Sequence, residues 1–588
     1  MLTGPEPVFS VFHAPARVDS ARVAVLMLPA FGWDNDCSYQ TRRTWSTAFA
    51  KAGVPVLRID LPGTENSVGS PADAGRYGSW VQATQAAAHW LRQRSGCERL
   101  VAVGIGLGGY LAHQAIIGGA VIDDLILWGV RASGRAYVRE LRAYAAVVAG
   151  EFSDERDAQR DDGILSIGGH AMSAETAAEL SRVKLTAETL PYASGRRVLL
   201  MGRDANGVDE ALRAHLVTGG AEVTVAQSSD YHLLVAPPEF GLLPSESMAT
   251  ALNWVSELPA DTESQIEHAP QAEPAQAAQQ ISFEYGGVRI AERIDSLQTS
   301  AGLMYGIVAE PAHGEPSQLC LVSVNTGALR HTGPNRLMVD IARAVTAAGA
   351  ASARFDLPGM GDSEGELMRM QDRGEQHDSM AMACFRQVCD HLEQSRVADR
   401  FVTTGVCLGA NLAVRTVGTD HRVKAAFPIN VPALGFTDAP RALARRAAAV
   451  YAGVTAVSAS GAEDVPRGRL GAVADRLANF KRLADARIRE RLGDVELLWR
   501  IEHRADSMAV LKGLRRLGPT GVPVQMFLAE NEWMLRMLAQ PRLARELQRW
   551  PNISVEPLAS RDHLVRQLWL QELLVERIRL ELGELNEN

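Results

Sequence analysis

A stretch of fifteen residues near the start of this 588-residue chain returns 296 positions later. Gly53-Val-Pro-Val-Leu-Arg-Ile-Asp-Leu-Pro-Gly-Thr-Glu-Asn-Ser67 recurs as Gly349-Ala-Ala-Ser-Ala-Arg-Phe-Asp-Leu-Pro-Gly-Met-Gly-Asp-Ser363, pairing Asp60 with Asp356 and Ser67 with Ser363. A second match, Val101–Gly109 with Val402–Ala410, follows in the same order at an offset of 301. Each copy opens with an apolar run (Val23–Leu28; Leu319–Val324) and a helical stretch (Arg42–Ala52; Asn335–Ala348). Unrelated domains would not keep the order and spacing of two motifs, so the chain reads as a duplication. Length agrees, since single cores rarely grow beyond ~250–300 residues. The expected division is a first domain over 1–258, a linker over 259–280 and a second domain over 281–588. The linker is rich in Ala, Gln, Glu and Pro and has no apolar period.

Strand-like runs alternate with amphipathic stretches within each copy. In the second they are Leu319–Val324, Ala351–Phe355, Phe401–Gly405, Lys424–Ile429, Val522–Leu528 and Ile553–Pro557, with helices such as Asp378–Gln394 and Ala410–Thr416 between them. Alternation over this length predicts an α/β fold, two tandem domains each with a mostly parallel sheet flanked by helices. In such sheets sites form beyond the carboxyl ends of strands. A net charge of −9 argues against nucleic-acid binding. Six cysteines without metal or disulfide spacing, and no apolar run of ~18 residues, predict a cytoplasmic protein with no membrane span. No clustered His/Cys set suggests a metal. The Gly104–Gly109 run, G-x-G-x-G-G, is not a dinucleotide fingerprint, so no bound cofactor is expected.

Thr404-Gly405-Val406-Cys407-Leu408-Gly409-Ala410 follows a strand and opens a helix, the arrangement G-x-nucleophile-x-G with cysteine as the nucleophile. Small residues two before and two after Cys407 let strand and helix pass closely. The same turn directs the Leu408 N–H at a reacting carbonyl. The other half of an oxyanion hole is expected from Asn325-Thr326-Gly327-Ala328, with Thr326 as the donor. Chain order then supplies an acid from Ala529-Glu530-Asn531-Glu532 and a base from Ser560-Arg561-Asp562-His563. His563 is placed to deprotonate Cys407. Glu532 is the preferred orienting acid, with Glu530 and Asp562 as alternatives.

On these residues both copies resemble α/β-hydrolase domains. Arg354-Phe-Asp-Leu-Pro-Gly-Met-Gly-Asp-Ser-Glu-Gly365 resembles the D-x-x-G-x-G-x-S segment of that superfamily. Its wording, with the Arg42–Ala52 helix and a cap-like Asp162–Leu185, is similar to small hydrolases that accompany exosortase systems. The Gly405–Ala410 elbow is similar to that of dienelactone hydrolases, and to cysteine enzymes that shuttle acyl or aminoacyl groups between carrier-protein thiols. In the first copy Gly106 stands where Cys407 stands, while Asp204 and His232 keep the acid and histidine positions. That copy reads as a relic or scaffold. The alternatives are a pocket that binds without chemistry, or His232 as base for an acceptor.

A helical cap insert is expected over about 431–520, with helices at Pro440–Ala452, Arg469–Arg491 and Asp506–Leu517. Arg441–Arg516 carries a net +7, which leaves −16 on the rest of the chain. A basic lid on an acidic body suits an anionic donor such as an acyl or peptidyl carrier protein, phosphopantetheine or a CoA thioester. A cysteine nucleophile exchanges one thioester for another, so the leading expectation is acyl transfer to a small-molecule acceptor. A thioesterase, an ester or lactone hydrolase and a non-catalytic scaffold are the rival expectations.

Overall fold

In a computed structural model of the chain, all residues are described except 3–5, 16–21, 153–155, 158–159, 204–206, 228–229, 258–276, 315–317, 367–374, 435–503 and 588. The chain forms two compact units, with the main change-over between Ile281 and Ser282. Most of the expected linker lies outside the described residues. Its end is ordered into strand: Ala277 bridges Leu2, and the second unit's first strand begins at Gln280.

The first unit contains β1 (Ser10–His13), β2 (Val23–Leu28), β3 (Val56–Ile59), β4 (Arg99–Ile105), β5 (Asp124–Trp128), β6 (Ile164–Ile167), β7 (His170–Ser173), β8 (Arg197–Met201) and β9 (Glu222–Val225). Seven of these form one sheet in the order β1-β3-β2-β4-β5-β8-β9. Every pairing in it is parallel except that of β1 with β3. Strands β6 and β7 pair as a separate hairpin that leads into the helix Ala174–Arg182. Together they make up the segment expected to be cap-like. The helix expected over Arg42–Ala52 begins earlier, spanning Trp33–Lys51.

The second unit contains β10 (Gln280–Tyr285), β11 (Val288–Thr299), β12 (Gly302–Pro311), β13 (Leu319–Ser323), β14 (Ala351–Phe355), β15 (Arg400–Val406), β16 (Val423–Ile429), β17 (Val524–Ala529) and β18 (Ile553–Leu558). Their order is β10-β11-β12-β14-β13-β15-β16-β17-β18. From β14 to β18 all pairs are parallel, and β12 joins antiparallel on both its edges. Both sheets have the strand order of an α/β-hydrolase fold. The central strands β2 and β13 are buried from end to end, and β15 beyond its first residue, because helices cover both faces. In the second unit one face packs Val388, Leu392, Leu412, Val510 and Leu514, and the other Leu337, Ile341, Leu570, Leu574 and Ile578.

Two features bear on the site. The order of strands reverses between β13 and β15, so the loops leaving their carboxyl ends lie side by side over a crevice. Of the expected cap helices, Pro440–Ala452 and Arg469–Arg491 lie outside the described residues. The third stands as Arg504–Leu517 and buries Val510, Leu511 and Leu514 in the core, so it belongs to the layer on the sheet.

The repeated motif has the same hydrogen bonds in both units. Ser67 donates to the Asp60 carbonyl at 2.7 Å, and Ser363 to that of Asp356 at 2.6 Å. Each serine oxygen also accepts a backbone N–H, from Phe9 just before β1 and from Tyr305 on β12, both at 2.9 Å. The motif therefore pins its turn to the antiparallel segment beside it in each unit.

Strands β10 to β12 carry no strand expectation from the sequence, because half-polar runs such as Val288–Thr299 show little apolar signal. One of those polar residues is structural. Glu292 on β11 is fully buried between Arg343, at 2.8 and 2.9 Å, and Arg354, at 3.3 Å. Burial alone would raise its carboxyl, but the two guanidinium charges outweigh it and hold it at about 2. Glu292→Ala would strand two buried cations and is expected to cost the second unit about 3–5 kcal/mol. A fall in its unfolding midpoint during denaturation of the whole chain would show this. The folded carboxyl lies below the unfolded value of about 4.3. Its contribution is therefore present above pH ~4.3 and lost as pH falls through about 2.

Candidate active site

Strand β15 passes into the helix Leu408–Thr416 through Cys407, which holds φ 56° and ψ −115°. Left-handed φ is unusual for a residue with a side chain, and here the packing imposes it. A Cβ on Gly405 would lie 2.6 Å from the Gly409 carbonyl carbon. One on Gly409 would lie 2.6 Å from Val324 O and 2.7 Å from Asn325 O. Strand, helix and the loop after β13 thus meet backbone to backbone. The Cys407 N–H donates to Ile429 O at 3.0 Å, which fixes the turn to β16.

The Cys407 side chain is hydrogen-bonded to His563. The Nδ1–H of His563 donates to Glu532 Oε1 at 2.7 Å, leaving Nε2 for the thiol. Burial pulls the imidazole down, but the charges of Cys407 and Glu532 and its hydrogen bonds to both outweigh this and raise it well above its ordinary value. All six cysteines are buried, and none is in a disulfide among the described residues. Burial pushes the thiols of Cys97, Cys320, Cys384 and Cys389 up.

The three acids have separate places. Glu532 precedes the short helix Trp533–Leu538 and reaches the imidazole. Glu530 is exposed, 3.9 Å from an equally exposed Arg561. Asp562, although adjacent to the histidine, is fully buried and builds the loop: it accepts from Leu564 N–H at 3.0 Å, from Arg566 N–H at 2.7 Å and from the Arg566 guanidinium.

Gly409, next to Leu408, packs against the 324–325 backbone, which leads into Thr326. Sequence reading missed what holds that loop. The buried Asp356 carboxylate accepts from Asn325 Nδ2 at 2.9 Å, His331 N–H at 2.6 Å and His331 Nδ1 at 2.8 Å. Asn325 returns an acceptor to Leu357 N–H at 2.9 Å. Burial would raise the Asp356 carboxyl, but His331 outweighs it and holds it below its ordinary value. A polar residue at the first position past a buried parallel strand was the available signal. Asp356 stands there after β14.

In the first unit the elbow survives without a nucleophile. Gly106 has φ 50° and ψ −107°, and its N–H donates to Trp128 O at 3.1 Å, matching Cys407 and Ile429. The atoms facing it belong to Tyr137, whose hydroxyl is 3.6 Å from where a Cβ would stand. Asp204 lies outside the described residues, and His232 is exposed on the four-residue helix Tyr231–Leu234.

No family model and no curated protein matches this chain. Solved structures do. An esterase from Pyrococcus furiosus is 12% identical over 50% of this chain and 90% of its own, with a TM-score of 0.28. α/β-Hydrolase domain-containing protein 10 from mouse is 16% identical over 50% and 99%, with a TM-score of 0.31. Proline iminopeptidase from Mycobacterium smegmatis is 14% identical over 50% and 100%, with a TM-score of 0.31.

The separate places of the three acids give a direct test. Glu532→Gln is expected to slow alkylation of Cys407 at pH 7 by roughly 10²-fold, since the imidazole loses its orienting carboxylate. Glu530→Gln is expected to leave that rate within twofold. Peptide mass spectrometry of iodoacetamide-treated protein measures both.

Proposed function

We propose that the second unit is a cysteine-dependent acyltransferase, taking an acyl or aminoacyl group from a carrier-protein or CoA thioester and passing it to a small-molecule acceptor in a biosynthetic pathway. The single observation that carries the reading is the Cys407–His563–Glu532 chain of hydrogen bonds at a strained strand-to-helix turn. A thiol paired to a histidine is a thiolate near neutral pH, well below the free value of ~8.5.

In the proposed reaction the Cys407 sulfur attacks the thioester carbonyl, and the C=O electrons move onto oxygen. The N–H groups of Leu408 and Thr326 receive that oxyanion. Collapse breaks the bond to the donor sulfur, which leaves with the proton held by His563. In the second half an acceptor thiol or amine gives its proton to His563 and attacks the acyl-Cys407. The Cys407–acyl bond then breaks, and the thiolate is restored beside the imidazolium. The exchange of thioester for thioester is nearly balanced in free energy, which supports transfer over release to water. Residues 441–503, the part of the expected cap that precedes the helix on the sheet, carry a net +4, which supports an anionic donor.

Incubation with acyl-loaded carrier protein is expected to add the acyl mass to Cys407, and Cys407→Ala to abolish the adduct. Movement of the mass to a second thiol or amine supports transfer. Free acid would reassign the unit as a thioesterase, and turnover of small esters without a carrier as an ester or lactone hydrolase. Full thioester turnover by Cys407→Ala would overturn the cysteine mechanism. A Cys407 that neither acylates nor alkylates would leave both units as scaffold.

A further inference from the structure

Asn430 follows β16 and has φ 50°, the left-handed region that favours glycine. Its side chain is fully buried. Its Oδ1 accepts from Ala529 N–H at 2.8 Å, at the end of β17 and three residues before Glu532. Its Nδ2 donates to His563 O at 2.9 Å and to Asp562 O at 3.4 Å. Its own N–H donates to Phe527 O at 2.8 Å, and the preceding carbonyl, Ile429 O, receives the Cys407 N–H. One amide therefore ties together the turn of the nucleophile, the strand end before the acid and the backbone of the histidine.

The duplication supplies an internal control. At the offset of 301, Asn430 corresponds to Gly129. Gly129 follows β5, has φ 65°, donates its N–H to Met201 O at 3.0 Å and succeeds Trp128, whose carbonyl receives the elbow N–H of Gly106. The backbone role is thus the same in both units, and glycine fulfils it with less strain. The unit with a nucleophile has asparagine in that slot, and the unit without one has glycine. What asparagine adds is the side-chain amide, and every contact of that amide is to a loop of the Cys407 site.

Resting on the cysteine reading above, we infer that Asn430 is a positioning residue that sets the distance between Cys407 and His563. The amide is a spacer of fixed length between the end of β17 and the His563 carbonyl. Without it the histidine loop is no longer held at the distance at which Nε2 reaches the thiol.

Asn430→Gly tests this, because glycine suits the backbone and removes only the amide. Cys407 alkylation by iodoacetamide would be followed from pH 5.5 to 9.5, together with acylation by a small thioester such as S-acetyl-N-acetylcysteamine. Expected for Asn430→Gly is a fall of at least tenfold in alkylation at pH 6–7, with the wild-type rate regained near pH 9.5. The maximal acylation rate should fall 10- to 100-fold, with half-saturation within twofold. Asn430→Asp is the second variant should the glycine variant not fold. It keeps the acceptor for Ala529 and tolerates positive φ, but presents no donor to His563 O, so the same change in profile is expected. A wild-type profile in either folded variant overturns the role of Asn430. If unaltered Cys407 already behaves as an ordinary thiol, reacting only toward pH 8.5, the cysteine reading fails instead.

Discussion

Where β15 turns into the helix Leu408–Thr416, the backbones of residues 405 and 409 come so close that neither has room for a methyl group, and residue 409 also touches the loop after β13. The rest of the candidate site depends on that crossing. It forces Cys407 into left-handed φ and keeps the sulfur out of the helix. It also holds the Thr326 loop against the start of the same helix. The cost of a strained residue is of the order of 1–3 kcal/mol and must be offset by packing. Here the offset comes from strands buried on both faces and from the Cys407–Ile429 hydrogen bond.

The first unit shows that this geometry does not require a reactive side chain. Gly106 lies within 10° of the Cys407 backbone angles and makes the equivalent hydrogen bond, although glycine has no need to be forced there. The shared turn after Asp60 and Asp356 has the same serine hydrogen bonds in both units, with and without a cysteine at the elbow. Duplicated architecture and duplicated activity are thus separable. Fold is carried by glycines and motif serines, while the cysteine site adds a few polar residues at strand ends.

Much of this was legible in the sequence because it is local or periodic. Continuous apolar runs gave β2, β13 and β15, and the elbow is visible in seven consecutive residues, Thr404–Ala410. Two kinds of feature were not. Strands β10 to β12 are half-polar at the sheet edge, and the burial of Glu292 depends on arginines 51 and 62 residues away. The choice among Glu530, Glu532 and Asp562 turns on side-chain direction, which spacing within a loop does not encode. Only the folded chain shows Asp562 absorbed by its own loop while Glu532 faces the imidazole. Asn430 looks like an ordinary loop residue, and the bonds between Asn325 and Asp356 stay hidden, until the strands beside them are in place.

The span of the Asn430 bridge has a consequence for the order of folding. It joins residues 133 apart, and the elbow cysteine lies still further from its histidine. Contacts of such separation form only after the intervening loops have closed. In a partly folded chain Cys407 and the His563 loop are therefore not yet side by side. The candidate site is thus assembled only as the last strands dock, after most of the second unit's sheet is in place.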